Sequence, residues 1–79
     1  KVQDRFSLLM PDLSEILSLQ IQRGIPYIWA KVFPDKEKVE RNFFWIGTNF
    51  QIPEGIQYRY IGTIQLDGGF LVFHLFEAL

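Results

Sequence analysis

Two alternating apolar runs, residues 58–66 and 70–76, flank Asp67-Gly68-Gly69, and no other feature constrains the chain as tightly. Asp-Gly and Gly-Gly adopt positive φ cheaply, as a tight turn between antiparallel strands requires. The pattern predicts a hairpin with Ile64, Leu71, Phe73 and Leu75 on one buried face, in either turn register.

The rest of the chain also reads as short strands separated by turns. Residues 5–9 form a short strand ended by Pro11 and Asp12. Residues 15–22 alternate, with Leu17, Leu19 and Ile21 on one face and Ser18, Gln20 and Gln22 on the other, the period of a half-buried strand. Arg23-Gly24 turns the chain back into 25–33, where Ile28, Ala30 and Val32 oppose Tyr27, Trp29 and Lys31. Residues 34–38 make a charged, solvated hairpin tip. Residues 39–47 are β-rich, and Phe43 to Trp45 predict contacts on both faces. Pro53-Glu54-Gly55 suits a further turn. No helical stripe persists; residues 11–16 have room for one helical turn at most. The expected fold is a single all-β domain over 1–79, a small antiparallel sheet of five to six strands curled into a barrel or folded into a sandwich, which protects its edges.

Seventy-nine residues suffice for one core, and 48% of them are apolar and 16% aromatic. So small an interior cannot hide Tyr27, Trp29, Phe43, Phe44, Trp45, Tyr58 and Tyr60 together with the 70–76 run. A homo-oligomer, most simply an isologous dimer, is therefore expected, weakened by Trp29→Ala if Trp29 faces outward. Eight Lys plus Arg against nine Asp plus Glu give a net charge of −1, which counts against phosphate-backbone binding to nucleic acid. The chain has no cysteine and no apolar run of membrane-spanning length, so a cytoplasmic protein without membrane association is expected. No signal peptide is visible, although a start at Lys1 leaves room for a removed leader.

Chemistry-bearing groups are few. His74 is the one histidine, and no phosphate-loop, nucleophile-elbow or metalloprotease pattern occurs. No catalytic residue, metal ligand or cofactor is assigned, and a non-enzymatic protein is expected. The His74 imidazole is either ligand-facing or a half-buried ring bonded to a hydroxyl such as Thr63; the second is favoured because acid–base work needs a partner that cannot be located. Tyr27 and Trp29, beside Gln20 and Ser18 if the turn is two residues long, form a candidate interaction surface. The cluster from Asp35 to Arg41 reads as a solvated loop. Tyr58 and Tyr60 beside Arg59 admit a base-stacking reading, without a basic groove to support it.

A succession of phrases gives the chain a resemblance. Ile16-Leu17-Ser18-Leu19-Gln20-Ile21-Gln22 is followed by Gly24-Ile25-Pro26, Ile28-Trp29-Ala30, and Phe44 through Ile46-Gly47-Thr48. Tyr60-Ile61-Gly62-Thr63, Gln65, Gly69 and Leu71-Val72-Phe73-His74-Leu75-Phe76-Glu77 complete it. From Ile16 to Glu77 the chain resembles a family of short uncharacterised proteins of phages, prophages and bacteria. Members typically carry a further Gly where this chain has Asn49. The resemblance implies a mobile-element context and, by analogy, a modulator that docks onto a host or defence protein. Single-stranded nucleic-acid binding, or a small-molecule or nucleotide site at an oligomer interface, are the alternatives.

Overall fold

The computed structural model describes residues 3–79. Six strands follow one another: β1 (Gln3–Pro11), β2 (Glu15–Gln22), β3 (Ile25–Lys31), β4 (Lys38–Gly47), β5 (Tyr58–Leu66) and β6 (Leu71–Ala78). β1, β4, β6 and β5 make a four-stranded sheet in that order, and β2 and β3 a separate two-stranded ribbon, all neighbours antiparallel. The ribbon lies over one face of the larger sheet, in an open two-layer arrangement that does not close into a barrel. β2 and β3 run as predicted from Glu15 to Gln22 and from Ile25, but β3 ends at Lys31, leaving Val32 outside it and 42% exposed.

Alternation divides the core in two. Phe43 and Leu75, with Met10, face the ribbon, where Phe6, Ile16, Leu19, Ile28 and Ile61 pack on them. Phe44, Ile46 and Phe76 face the other way and are covered by Ile52 of the 48–57 loop and by Ala78. Each central strand thus buries both faces, as the Phe43–Trp45 run predicts.

Four local expectations need correction. A bulge at Leu17 shifts the β2 register, so Ile16 and Leu19 point inward and Leu17 is left 59% exposed. Residues 34–38 are not a hairpin tip: β3 and β4 belong to different sheets, and the loop crosses between layers. Residues 12–13 form a turn, closed by Ser14 N–H donating to Pro11 O, and the one 3-10 turn among the described residues lies instead at Asp67–Gly69, closed by Phe70 N–H donating to Asp67 O. Leu71 lies on the face of Ile64, Phe73 and Leu75 but remains 47% exposed, as the first residue of β6 beside the turn.

Gly62 fixes how closely the layers meet. A Cβ there would lie 3.2 Å from Leu19 Cβ, so the absent side chain lets β2 settle onto β5.

Candidate functional site: the outer face of the ribbon

The Arg23-Gly24 turn is two residues long, with φ of 53° and 77°, the conformation that matches the strand twist of a tight hairpin. Its register sets Gln20 opposite Tyr27 and Ser18 opposite Trp29. Because Ile28 and Leu19 face the core, Tyr27, Trp29 and Gln20 face away from it. Tyr27 is 44% exposed and Trp29 52%, flanked by Leu17 and by Ile25 at 54%. Alternation forces this: a strand that puts Ile28 and Ala30 inward must put its aromatics outward. The ionic groups stand at the ribbon's ends, Glu15 opposite Lys31 at one and Arg23 in the turn at the other. The sequence brings Gln20, Tyr27 and Trp29 onto one surface, with Leu17 added by the bulge.

Thr63 and His74 meet on the far side of the larger sheet. They are cross-strand partners, and Thr63 Oγ1 lies 2.8 Å from His74 Nδ1. Thr48 Oγ1 lies 3.1 Å from Nε2, and the Tyr60 hydroxyl contacts Thr63 Oγ1. One assignment gives every group a partner: Tyr60 O–H donates to Thr63 Oγ1, Thr63 O–H to Nδ1, and Nε2–H to Thr48 Oγ1. Two hydroxyls, those of Thr63 and Thr48, bond the ring nitrogens, with Tyr60 behind Thr63, and among the described residues no carboxylate hydrogen-bonds to the ring. These hydroxyls hold the imidazole in a fixed orientation. Thr48 and Tyr60 escaped the sequence reading, Thr48 because it arrives from a loop 26 residues away.

Tyr58 and Tyr60 stand edge-on to Phe76 with ring centroids 5.3 and 5.6 Å away. Arg59, opposite Glu77, faces the other side of the sheet. The arginine and the two rings therefore form no common stacking platform.

Arg41, expected within a solvated cluster, is instead held inside. Its Nε and Nη2 donate to Glu77 at 2.5 and 2.8 Å, and its Nη1 donates to Ser14 O at 2.5 Å. Glu77 is 4% exposed. The Glu77 hydrogen bonds hold the Arg41 guanidinium protonated even more firmly than usual, against the opposing effect of burial. Phase was the missed signal: Arg41, Phe43 and Trp45 share a face, as do Phe73, Leu75 and Glu77.

An apolar groove of about 320 Å³ separates the ribbon from the β1 side of the sheet, lined among others by Phe6, Leu8, Tyr27, Ile28 and Trp45. Among the described residues no group of three or more His, Cys, Asp or Glu is placed to hold a metal ion, and no helix is long and apolar enough to cross a membrane.

Fold and surface together define a small, open, two-layer antiparallel β domain that carries an aromatic strip on a ribbon. The chain belongs to the family described as Domain of unknown function (DUF7352), whose model matches residues 1–79. Neither curated proteins nor solved structures yield a match.

Proposed function

We propose that the chain is a small non-enzymatic protein-binding module that docks through the outer face of the β2–β3 ribbon. One observation carries the reading: Leu17, Ile25, Tyr27 and Trp29 form an uncovered strip, each more than two-fifths exposed. Scattered apolar side chains on a surface are ordinary, but a contiguous strip holding a Trp and a Tyr is the usual anchor of an interface. Ser18, Gln20 and Gln22 border it with groups able to donate and accept. The charges stand at its ends, the arrangement of a desolvated interface centre with a polar rim. The resemblance to phage and prophage proteins makes a cytoplasmic host or defence factor the partner to seek.

Affinity purification of the wild type beside a Trp29→Ser variant from a bacterial host provides the test. A protein retained by the wild type and lost with the variant is then purified and titrated against both. Trp29→Ser is expected to weaken binding by about 30-fold with the fold intact by circular dichroism. A partner that binds the wild type and the Trp29→Ser, Tyr27→Ser double variant equally would place docking elsewhere.

A further inference from the structure

We infer that the chain self-associates through β1, in an antiparallel β1–β1 pairing about a two-fold axis at Ser7 that joins two four-stranded sheets into one of eight. This surface is a strand edge, distinct from the ribbon's outer face, and the two approach each other at the groove that Tyr27 shares with Phe6 and Leu8.

An unprotected edge pairs with another chain, and natural sheets blunt such edges with bulges, prolines or charges. Among the described residues there are four outer edges. The edge of β5 carries a bulge at Ile61, that of β2 the bulge at Leu17, and that of β3 Pro26, which has no N–H to offer. β1 pairs with β4 in unbroken register over its whole length, from Gln3↔Ile46 to Pro11↔Lys38. Between Phe6 and Met10 it has no bulge, no proline and no charge. Leu9 on that strand is 71% exposed.

Register and charge select a second copy as the occupant. A two-fold axis perpendicular to the sheet keeps each residue on its own face, so the pairing must centre on a residue. About Ser7, Phe6 meets Leu8 of the second copy and Leu8 its Phe6, on the face that also lines the apolar groove. On the opposite face Arg5 meets Leu9 of the second copy, whose neighbour on β4 is Glu40. Arg5 and Glu40 are both exposed, and their side chains can join across Leu9, twice by symmetry. Centring on Leu8 would instead align Arg5 with Pro11 and Lys38, a like-charge row. Centring on Phe6 would align it with Ser7 and Asn42, which leaves Arg5 without an acidic partner.

Surface area agrees. The chain exposes 5926 Å² for a mass of 9.3 kDa, where a monomer of that mass exposes about 5,000 Å². The excess is of the order of one partner's share of a standard interface, about 800 Å².

Light scattering of the full chain from micromolar to several hundred micromolar provides the test. The expected result is a dimer at the upper end. Ser7→Lys, which sets two ammonium groups at the axis on an exposed position, should weaken it at least tenfold. Arg5→Glu and Glu40→Arg should each weaken it about tenfold, and the double variant should restore it. A mass near 9.3 kDa at every concentration overturns the inference. So does a dimer indifferent to Ser7→Lys, or one that Trp29→Ser dissociates, since that would move self-association onto the ribbon. Failure to restore the dimer with the charge-swapped pair would overturn the Ser7 register.

Discussion

Two side-chain clusters, one ionic and one neutral, decide what single substitutions do. Glu77→Leu removes the carboxylate and leaves the Arg41 guanidinium, whose side chain is 14% exposed, without its charge partner. That variant should lose about 3 kcal/mol of unfolding free energy in urea, whereas Arg41→Met with Glu77→Leu should recover most of it, because a well-packed apolar pair avoids the desolvation cost. Arg41 protonation is favoured in the folded state, so its contribution is fully present below its ordinary pKa and lost only in strongly alkaline solution. Stability between pH 5 and pH 9 should therefore carry no slope from Arg41. At the neutral cluster, nitrogen chemical shifts should report His74 as the Nε2–H tautomer. Thr63→Val should cost about 1 kcal/mol and disturb that tautomer, since Nδ1 loses its donor. A ring found protonated on Nδ1 would reverse the assigned direction of every bond in the cluster.

The elements were legible where one period ran uninterrupted. Residues 58–66 and 15–22 form strands with those bounds, and the Arg23-Gly24 turn sets the predicted Gln20–Tyr27 register. Asp67, Gly68 and Gly69 all have positive φ, but the connection also takes in Phe70, whose N–H donates to Asp67 O, so β6 begins one residue later than the apolar run. What alternation alone cannot reveal is an inserted residue: Leu17 fits period two perfectly as sequence, yet the bulge reassigns it to the surface. Nor does a mixed-charge run reveal which of its members turns inward: residues 39–47 are legible as a strand, yet Arg41 reads as part of the solvated cluster. Gly62 tests how the layers are held, because its value lies in what passes above it. Gly62→Ala should lower stability by about 1–2 kcal/mol, since Leu19 Cβ lies 3.2 Å from the new methyl position. The cost should shrink when Leu19 is already Gly, which removes that Cβ, and a double-mutant cycle measures the coupling. Strict additivity would show that the ribbon does not rest on β5.

At the scale of the molecule, shape and cohesion are unequal. The extents are 41 × 34 × 17 Å and the radius of gyration is 13.3 Å, against about 12 Å for an average domain of this length. The chain is a plate two layers thick, and local pattern could not choose between this and a closed barrel because closure depends on whether β1 and β3 meet. They do not; the groove lies between them. β4 and β6 have neighbours on both edges and carry Phe43, Phe44, Leu75 and Phe76, whereas the ribbon is not paired by strand hydrogen bonds to the larger sheet and is attached through Ile16, Leu19 and Ile28. A unit attached by apolar contact and by one hydrogen bond, from Arg41 to Ser14 O just before β2, can lift as a whole while the sheet persists. Native-state hydrogen exchange should therefore find the β4 and β6 amides opening only with global unfolding. The β2–β3 amides should open together at a free energy at least about 1 kcal/mol lower, with a smaller denaturant dependence. Gly62→Ala should lower the ribbon's opening energy and leave the β4–β6 pairing close to its global value relative to the variant's own stability. Equal protection and equal denaturant dependence in both layers would show one cooperative unit. Such a result would also mean that the aromatic strip is presented on a rigid platform, and not on a ribbon that can adjust as it docks.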